Sequence, residues 1–401
     1  MSRRESDQRD AELHELLRQA ITRRGFVRRS ALGAGALMLG NSLLAACGGG
    51  KEGAKMAAGD SSAAAPAGGG KTLRISNWPL YIDKQTVPDF EKATGIKTEY
   101  TEDINDNGEF FAKIDEPLKR NQSIDRDIIV LTDWMAGRMV ELGYCAPLDD
   151  TLVPNKVNLI DSLRDVSFDP GRKYTVPWLS GMTGIGYNPK KTGRELTSMN
   201  DIFDPKYKGQ VTMLTEMRDT LGLVMLANGA DPTNCTKPDA EAACARIKKA
   251  RESGHIRAFT GNDYAEDLAA GNIAVAIAWS GDIQGLAADN PDLRWIAPKE
   301  GAMLYSDNML VPKTTDRMAS AMAWINYCYD PAHSAQIVAA APYISAVKGA
   351  GEELAKIAPE LAKSPLVNPP DDLRARLHVF RALSAAEDQD WNKLFQDAIG
   401  A

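Results

Sequence analysis

Residues 298–312 read Pro-Lys-Glu-Gly-Ala-Met-Leu-Tyr-Ser-Asp-Asn-Met-Leu-Val-Pro. Pro298, Gly301 and Pro312 interrupt any helix here, so the stretch reads as an ordered, extended connection. In extended backbone, residues two apart project to one face, which puts Tyr305 beside Asp307. An aromatic face attracts a cation and a carboxylate neutralises it, so the pair suits an ammonium group. A lone Tyr–Asp pair is more often structural. This one gains weight because the combination recurs along the chain.

On either side of this connection, short apolar runs alternate with longer amphipathic segments, the pattern of an α/β architecture. Strands are expected at 72–76, 96–101 and 128–132, with helices at 87–93, 108–119 and 135–142. Around 174–177 the chain leaves this first set. Strands at 184–187, 211–214, 273–279 and 293–296 follow, with helices at 221–228, 239–253 and 283–288. The chain returns through the opening stretch into a strand at 309–311 and a helix at 318–329. Helices at 351–361, 373–383 and 390–398 complete it. Two lobes are therefore expected, one from 71–176 plus 307–350 and the other from 177–306 plus 351–401. Crossing segments join them, and a cleft between such lobes is where ligands bind.

Aromatics and acids gather at the ends of these strands. Trp78 and Tyr81 follow the first strand, Thr132 and Trp134 the third, and Glu216, Arg218 and Asp219 the strand at 211–214. Trp279 closes the strand at 273–279, with Asp282 just beyond it. Three of the seven Trp residues thus stand where an open α/β sheet binds ligands. Any one of them is more often packing, and Asp133 and Asp282 read equally well as helix N-caps. The recurrence is the signal.

The 401 residues carry a formal charge of −7, with 44% apolar and 25% charged residues. That is an ordinary globular composition with no basic footprint for nucleic acid. The N-terminus reads as an address. Arg23-Arg24-Gly25-Phe26 matches a twin-arginine export signal, residues 30–44 form a weakly apolar stretch too short to span a membrane, and Leu44-Ala45-Ala46-Cys47 resembles a lipobox. Residues 1–46 are thus a signal peptide and Cys47 is the expected site of lipidation, which anchors the chain to the outer face of a membrane. Removing 1–46 takes away eight Arg and five acidic residues, so the charge goes from −7 to −10. Residues 47–70, nearly all Gly, Ala and Ser, form a flexible tether.

Cys235 and Cys244 are close enough in sequence to suggest a disulfide in an exported chain, whereas Cys145 and Cys328 read as buried thiols. There is no CxxC, and the four His are scattered, so neither metal nor cofactor is expected. No Gly-x-Ser-x-Gly or His-Glu-x-x-His occurs. The glycine-rich 181–186 segment precedes no helix pattern, so catalysis and phosphate binding are not expected.

From about residue 71 onward the chain resembles the spermidine/putrescine-binding proteins of bacterial polyamine ABC transporters. The resemblance is carried by Ser76-Asn77-Trp78-Pro79-Leu80-Tyr81, Lys92-Ala93-Thr94-Gly95-Ile96-Lys97, Asp127-Ile128-Ile129-Val130, Tyr207-Lys208-Gly209 and Pro298-Lys299-Glu300-Gly301. It implies a two-lobed periplasmic-binding-protein fold that closes over an extended polyamine. Trp78, Tyr81, Trp134, Trp279, Tyr305 and Tyr343 would form an aromatic box around the methylene chain. Asp307 would pair with an ammonium, Glu216 and Asp219 would match an acidic pair toward one end, and Thr132 a small hydroxyl residue. Trp134 and Tyr305 stand where relatives carry other aromatics. Arg381 falls where the spermidine binder has a Gln, and its charge would oppose a cation if it faced the cleft. The implied partners are a polyamine ligand and an ABC permease with its cytoplasmic ATPase, served by a monomer. A sugar, amino acid or ferric ion in the same kind of cleft remains an alternative, as do an exported enzyme and an adhesive or regulatory surface protein.

Overall fold

The computed structural model describes residues 72–401. The export signal, the tether and the Cys47 lipidation site lie outside the described residues. The chain opens with β1 (Leu73–Asn77), α1 (Thr86–Thr94), β2 (Thr98–Glu102), α2 (Asn107–Lys119), β3 (Ile128–Thr132) and α3 (Asp133–Glu141). Gly95 ends α1 in the left-handed region, at φ 72°, where a glycine carries no Cβ penalty. The Asp106 side chain caps α2 by accepting from the Glu109 N–H at 2.9 Å.

A 13-residue strand, β4 (Thr175–Tyr187), then carries the chain onward. After it come α4 (Pro189–Thr192), β5 (Val211–Leu214), α5 (Met217–Ala227), α6 (Lys237–Glu252), β6 (Ile256–Thr260), α7 (Tyr264–Ala270), β7 (Val275–Trp279), α8 (Ser280–Asp289) and β8 (Arg294–Ile296). The return is β9 (Ala302–Leu310). Helices α9 (Met318–Cys328) and α10 (Pro331–Ala340), β10 (Ile344–Ser345), α11 (Ala350–Ile357), α12 (Pro359–Ala362), α13 (Asp371–Arg374), β11 (Leu377–His378) and α14 (Ala385–Ile399) complete the fold.

The strands lie in the order β2-β1-β3-β9-β4-β7-β5-β6. Two parallel blocks, β2-β1-β3 and β7-β5-β6, are joined by β9 and β4, which run antiparallel to each other and to the block beside each. The parallel strands are buried apolar runs such as Ile128–Leu131 and Val275–Ala278, as helix-covered sheets require. In the first block Phe90 of α1 packs edge-on against Trp324 of α9, with ring centroids 5.0 Å apart.

The opening stretch is extended as expected and forms most of β9. Most expected helices and strands fall near their places in both blocks, with a few exceptions. The strand expected at 184–187 begins nine residues earlier, because the glycine-rich 181–186 segment and the residues before it are part of β4. Strand β6 and helices α7 and α10 were not anticipated. The IRAFT run of β6 lies at the end of the sheet, half-exposed, and lacks a clear apolar period. The helix expected over 373–383 is only the four-residue α13, after which the chain adds the short strand β11 beside β9. That pairing takes the backbone hydrogen bonds a longer helix would have used.

The expected Cys235–Cys244 bridge does not form. Both thiols are free and buried, and Cys235 Sγ donates to the Pro232 carbonyl at 3.2 Å. Cys244 lies about 10 Å along α6 from its first residue, a rise beyond the reach of a disulfide from the preceding turn. Burial pushes the Cys244 and Cys145 thiols up to about 12, so both stay protonated.

Arg172 ties the two crossing strands together. It is 1% exposed and donates to Thr175 Oγ1 of β4 at 3.1 Å, Asn308 Oδ1 of β9 at 2.8 Å and the Leu163 carbonyl at 2.7 Å. Removing it leaves these buried acceptors without their donor. Arg172→Met is expected to lower stability by about 3 kcal/mol in urea unfolding at pH 7. An unchanged midpoint would show that the crossing holds without it.

Candidate functional site

Residues at or just past the C-terminal ends of β1, β3, β5 and β7, together with the middle of β9, line a cavity of about 1270 Å³. All eleven residues that the sequence assigns to a ligand line it, from Trp78 to Arg381. Strand register explains much of this. Asp307 pairs with Thr132 across β9 and β3, Tyr305 with Gly181 across β9 and β4, and Thr183 with Trp279 across β4 and β7. Tyr305 and Asp307 both face the cavity, as extended backbone dictates.

Two of the carboxylates in this wall, Asp307 and Asp219, are held by neutral donors alone. Asp307 accepts from the Tyr81 hydroxyl and from Thr132 Oγ1, each at 2.8 Å. Asp219, in the first turn of α5, accepts from Thr183 Oγ1 at 2.8 Å and from the Trp279 indole N–H at 3.0 Å. Every one of these donors is neutral, and no salt bridge to either acid forms among the described residues. Burial pushes Asp307 up to about 7; the Tyr81 and Thr132 hydrogen bonds offset part of this, while Asp133 and Asp219 add to it. Burial also pushes Asp219 up to about 6, against the lowering effect of Trp279, Thr183 and Arg218.

Aromatic rings enclose these acids. Trp78 meets Trp279 edge-on at 5.8 Å, and Tyr81 meets Tyr343 edge-on at 4.8 Å. The Trp78 indole is aimed by its hydrogen bond to the Val130 carbonyl at 3.1 Å. Gly281 allows Tyr343 to lie directly over its Cα, where a Cβ would collide with the ring, and Gly181 does the same for Tyr305. Burial holds the Tyr81, Tyr305 and Tyr343 hydroxyls far above their ordinary range, so they remain hydrogen-bond donors.

Three assigned residues are engaged differently from expectation. Glu216 accepts from the backbone N–H and side-chain amide of Asn107, at 2.8 and 2.9 Å, so its carboxylate is tied to the start of α2. Trp134 lines the cavity, but the Arg218 guanidinium sits 3.9 Å from its ring centroid, and Arg218 also pairs with Asp388 at 2.7 Å. Arg381, partly exposed, pairs with Glu387 at 2.6 Å, donates to the Cys235 carbonyl and lies over Trp391. Its charge is therefore met away from the two acids.

Several contributors escaped sequence reading. Thr183 lay inside the glycine-rich segment, and Tyr264 in a helix that went unassigned. Asp282 is no N-cap. It is 5% exposed and accepts from Tyr343 and Tyr264, both at 2.7 Å, and from Asn262 at 3.1 Å, which fixes the tyrosines behind the box. Its place three residues after Trp279 was the available signal.

The residues 85–369 match the family model of the bacterial extracellular solute-binding proteins. The chain belongs to that family. The family is built on the two-lobed α/β fold, and the solved structures most like this chain include a spermidine/putrescine ABC transporter protein from Listeria monocytogenes. That likeness has a TM-score of 0.74 and 29% identity, and covers 82% of this chain and 98% of the other. Among relatives, the putrescine-binding periplasmic protein PotF of Escherichia coli is 30% identical over 81% of this chain and 91% of its own length. The putrescine-binding periplasmic protein SpuD of Pseudomonas aeruginosa is 27% identical over 84% and 95%. Both relatives are named as binding proteins, as the family description has it. No helix among the described residues of this family member is long and apolar enough to cross a membrane.

The raised acids make binding of any cation pH-dependent. A cation needs Asp307 and Asp219 ionised, whereas the ligand-free cleft favours their protonated forms. Affinity for a cationic ligand is therefore expected to fall about tenfold per pH unit just below pH 7 and more steeply below pH 6. The ligand-free protein moves the opposite way. Because both folded-state values lie above those of the unfolded chain, these groups add stability as pH drops from 7 toward 4. Calorimetric titration and thermal melts between pH 8 and 5 test both signs, and a flat affinity across that range would contradict them.

Proposed function

We propose that this chain captures a small polyamine outside the cytoplasm and delivers it to an ABC permease driven by a cytoplasmic ATPase. One observation carries the reading. Asp307 and Asp219 face an aromatic-walled cavity with only neutral donors around them, although burying an unpaired carboxylate is costly. A cation entering the cleft supplies the missing charge, and flat aromatic faces suit the methylenes between ammonium groups. Each ammonium lying on a ring face gains roughly 0.5–2 kcal/mol. Two such acids favour a ligand with two ammonium ends, as in putrescine. The relatives named for putrescine or for spermidine and putrescine support this chemistry.

Arg218 and Arg381 do not oppose this reading, because each is already paired with an acid of its own. We assign 71–176 plus 307–350 to one lobe and 177–306 plus 351–401 to the other, with the 176/177 and 306/307 boundaries inside the crossing strands β4 and β9 and the 350/351 boundary at the start of α11. The N-terminal sequence supports export through the twin-arginine route and a lipid anchor at Cys47 on the outer face of the membrane. The protein acts as a monomer by binding and release, so its ligand leaves chemically unchanged.

Calorimetry with putrescine, spermidine and spermine, with arginine and maltose as controls, tests the proposal. Micromolar or tighter binding, equivalent to about −8 kcal/mol or better, is expected for one of the amines. Asp307→Ala and Trp279→Ala should each weaken it by 100-fold or more while the fold is kept. Heat on titration with maltose or arginine and none with the amines would overturn it.

A further inference from the structure

Four hydrogen-bonded groups connect the cavity to the contact between the two halves of the sheet. Thr132 Oγ1 donates to Asp307 at 2.8 Å, and the Asn107 amide donates to Thr132 Oγ1 and to Glu216, each at 2.9 Å. Asn107 begins α2, which belongs to the β2-β1-β3 block, whereas Glu216 follows β5 of the other block. The same corner makes two further crossings. Thr215 Oγ1 donates to Asp106 at 3.0 Å, and the Asn262 N–H donates to the Asn105 side chain at 3.2 Å. On the other flank of Asp219, Arg218 lies over Trp134 of α3 and shares Asp388 with Arg138 of α3, whose bond to it is 3.2 Å.

We propose that Glu216 and Arg218 are positioning residues that clasp the lobes shut, and that neither pairs with the ligand. Asp219 lies between Arg218 and the body of α5, so the residue that meets the ligand shares one helical turn with the residues that hold the opposite lobe. Asn107 and Thr132 extend the connection to Asp307. A cation that orders Asp307 and Asp219 thereby orders Thr132, Asn107 and the corner at 215–219. Closure follows from capture through these hydrogen bonds. The acidic pair suggested by the spacing of Glu216 and Asp219 thus divides its labour. One acid serves the ligand and the other serves the lobe contact.

This inference rests on the proposed polyamine reading for its ligand, and the test separates the two. On the intact chain, stopped-flow tryptophan fluorescence with putrescine and spermidine gives kon and koff. Glu216→Gln keeps an acceptor for Asn107 and is expected to bind within threefold of the unaltered protein. Glu216→Ala and Asn107→Ala are each expected to raise koff at least tenfold with kon within threefold, and the double variant to add little to either. Asp307→Asn is expected to lose affinity by 100-fold or more. A loss in Glu216→Gln equal to that in Asp307→Asn would place Glu216 on the ligand and overturn the clasp. The second readout needs no ligand. Spin labels at Lys113→Cys and Lys248→Cys report the distance between lobes, which Asn107→Ala should lengthen and broaden. An unchanged distance distribution would overturn the clasp even if no amine binds, whereas silence toward both amines with an altered distribution would remove only the polyamine reading.

Discussion

The antiparallel pairing of β4 with β9 is the constraint on which the rest depends. Each strand leaves one parallel block and enters the other, so their shared register sets how the two blocks face each other. It also delivers the chemistry. Tyr305 lies opposite Gly181, Asp307 opposite Thr132, and Thr183 opposite Trp279, which brings groups far apart in sequence into one wall. Because side chains alternate along a strand, a slip of one residue in β9 would turn Tyr305 and Asp307 away from the cavity together. The buried Arg172 guards against such a slip by bonding both strands at once.

Electrostatics then divides the cavity. The cavity holds Asp307 and Asp219 among neutral donors and aromatic edges, while the Arg138, Arg218 and Arg381 side chains that also line it are paired with Asp388 and Glu387. A cleft built this way is under-neutralised until a cation arrives. The upward push on both acids is the thermodynamic trace of that imbalance, and it links ligand capture to proton release. On the proposed reading, cationic ligands and protons compete for the same two carboxylates.

Much of the site was legible because its parts obey local rules. Trp78, Trp134 and Trp279 follow strands, and loops at the C-terminal ends of such strands face the ligand whatever the details of packing. Tyr305 and Asp307 share a face because extended backbone has a period of two. Roles that depend on a partner distant in sequence were less legible. Nothing near Glu216 announces that Asn107 holds it, and nothing near Arg381 announces Glu387 and the Cys235 carbonyl. Cys235 and Cys244 are close in sequence yet stay apart, because a helix separates them by its rise.

The sequence by itself determined the α/β alternation, the extended character of the return strand, and the residue types that gather around the cavity. Each of these follows from periodicity or from chemistry within a few residues. The tertiary structure alone decided that β4 runs unbroken through the glycine-rich segment, that Asp282 is held behind the box by two tyrosines and an amide, and that of two neighbouring acids Glu216 is held by Asn107 and Asp219 by Thr183 and Trp279. Those outcomes depend on which long-range partner satisfies a buried polar group. That competition is settled only when the whole chain has packed.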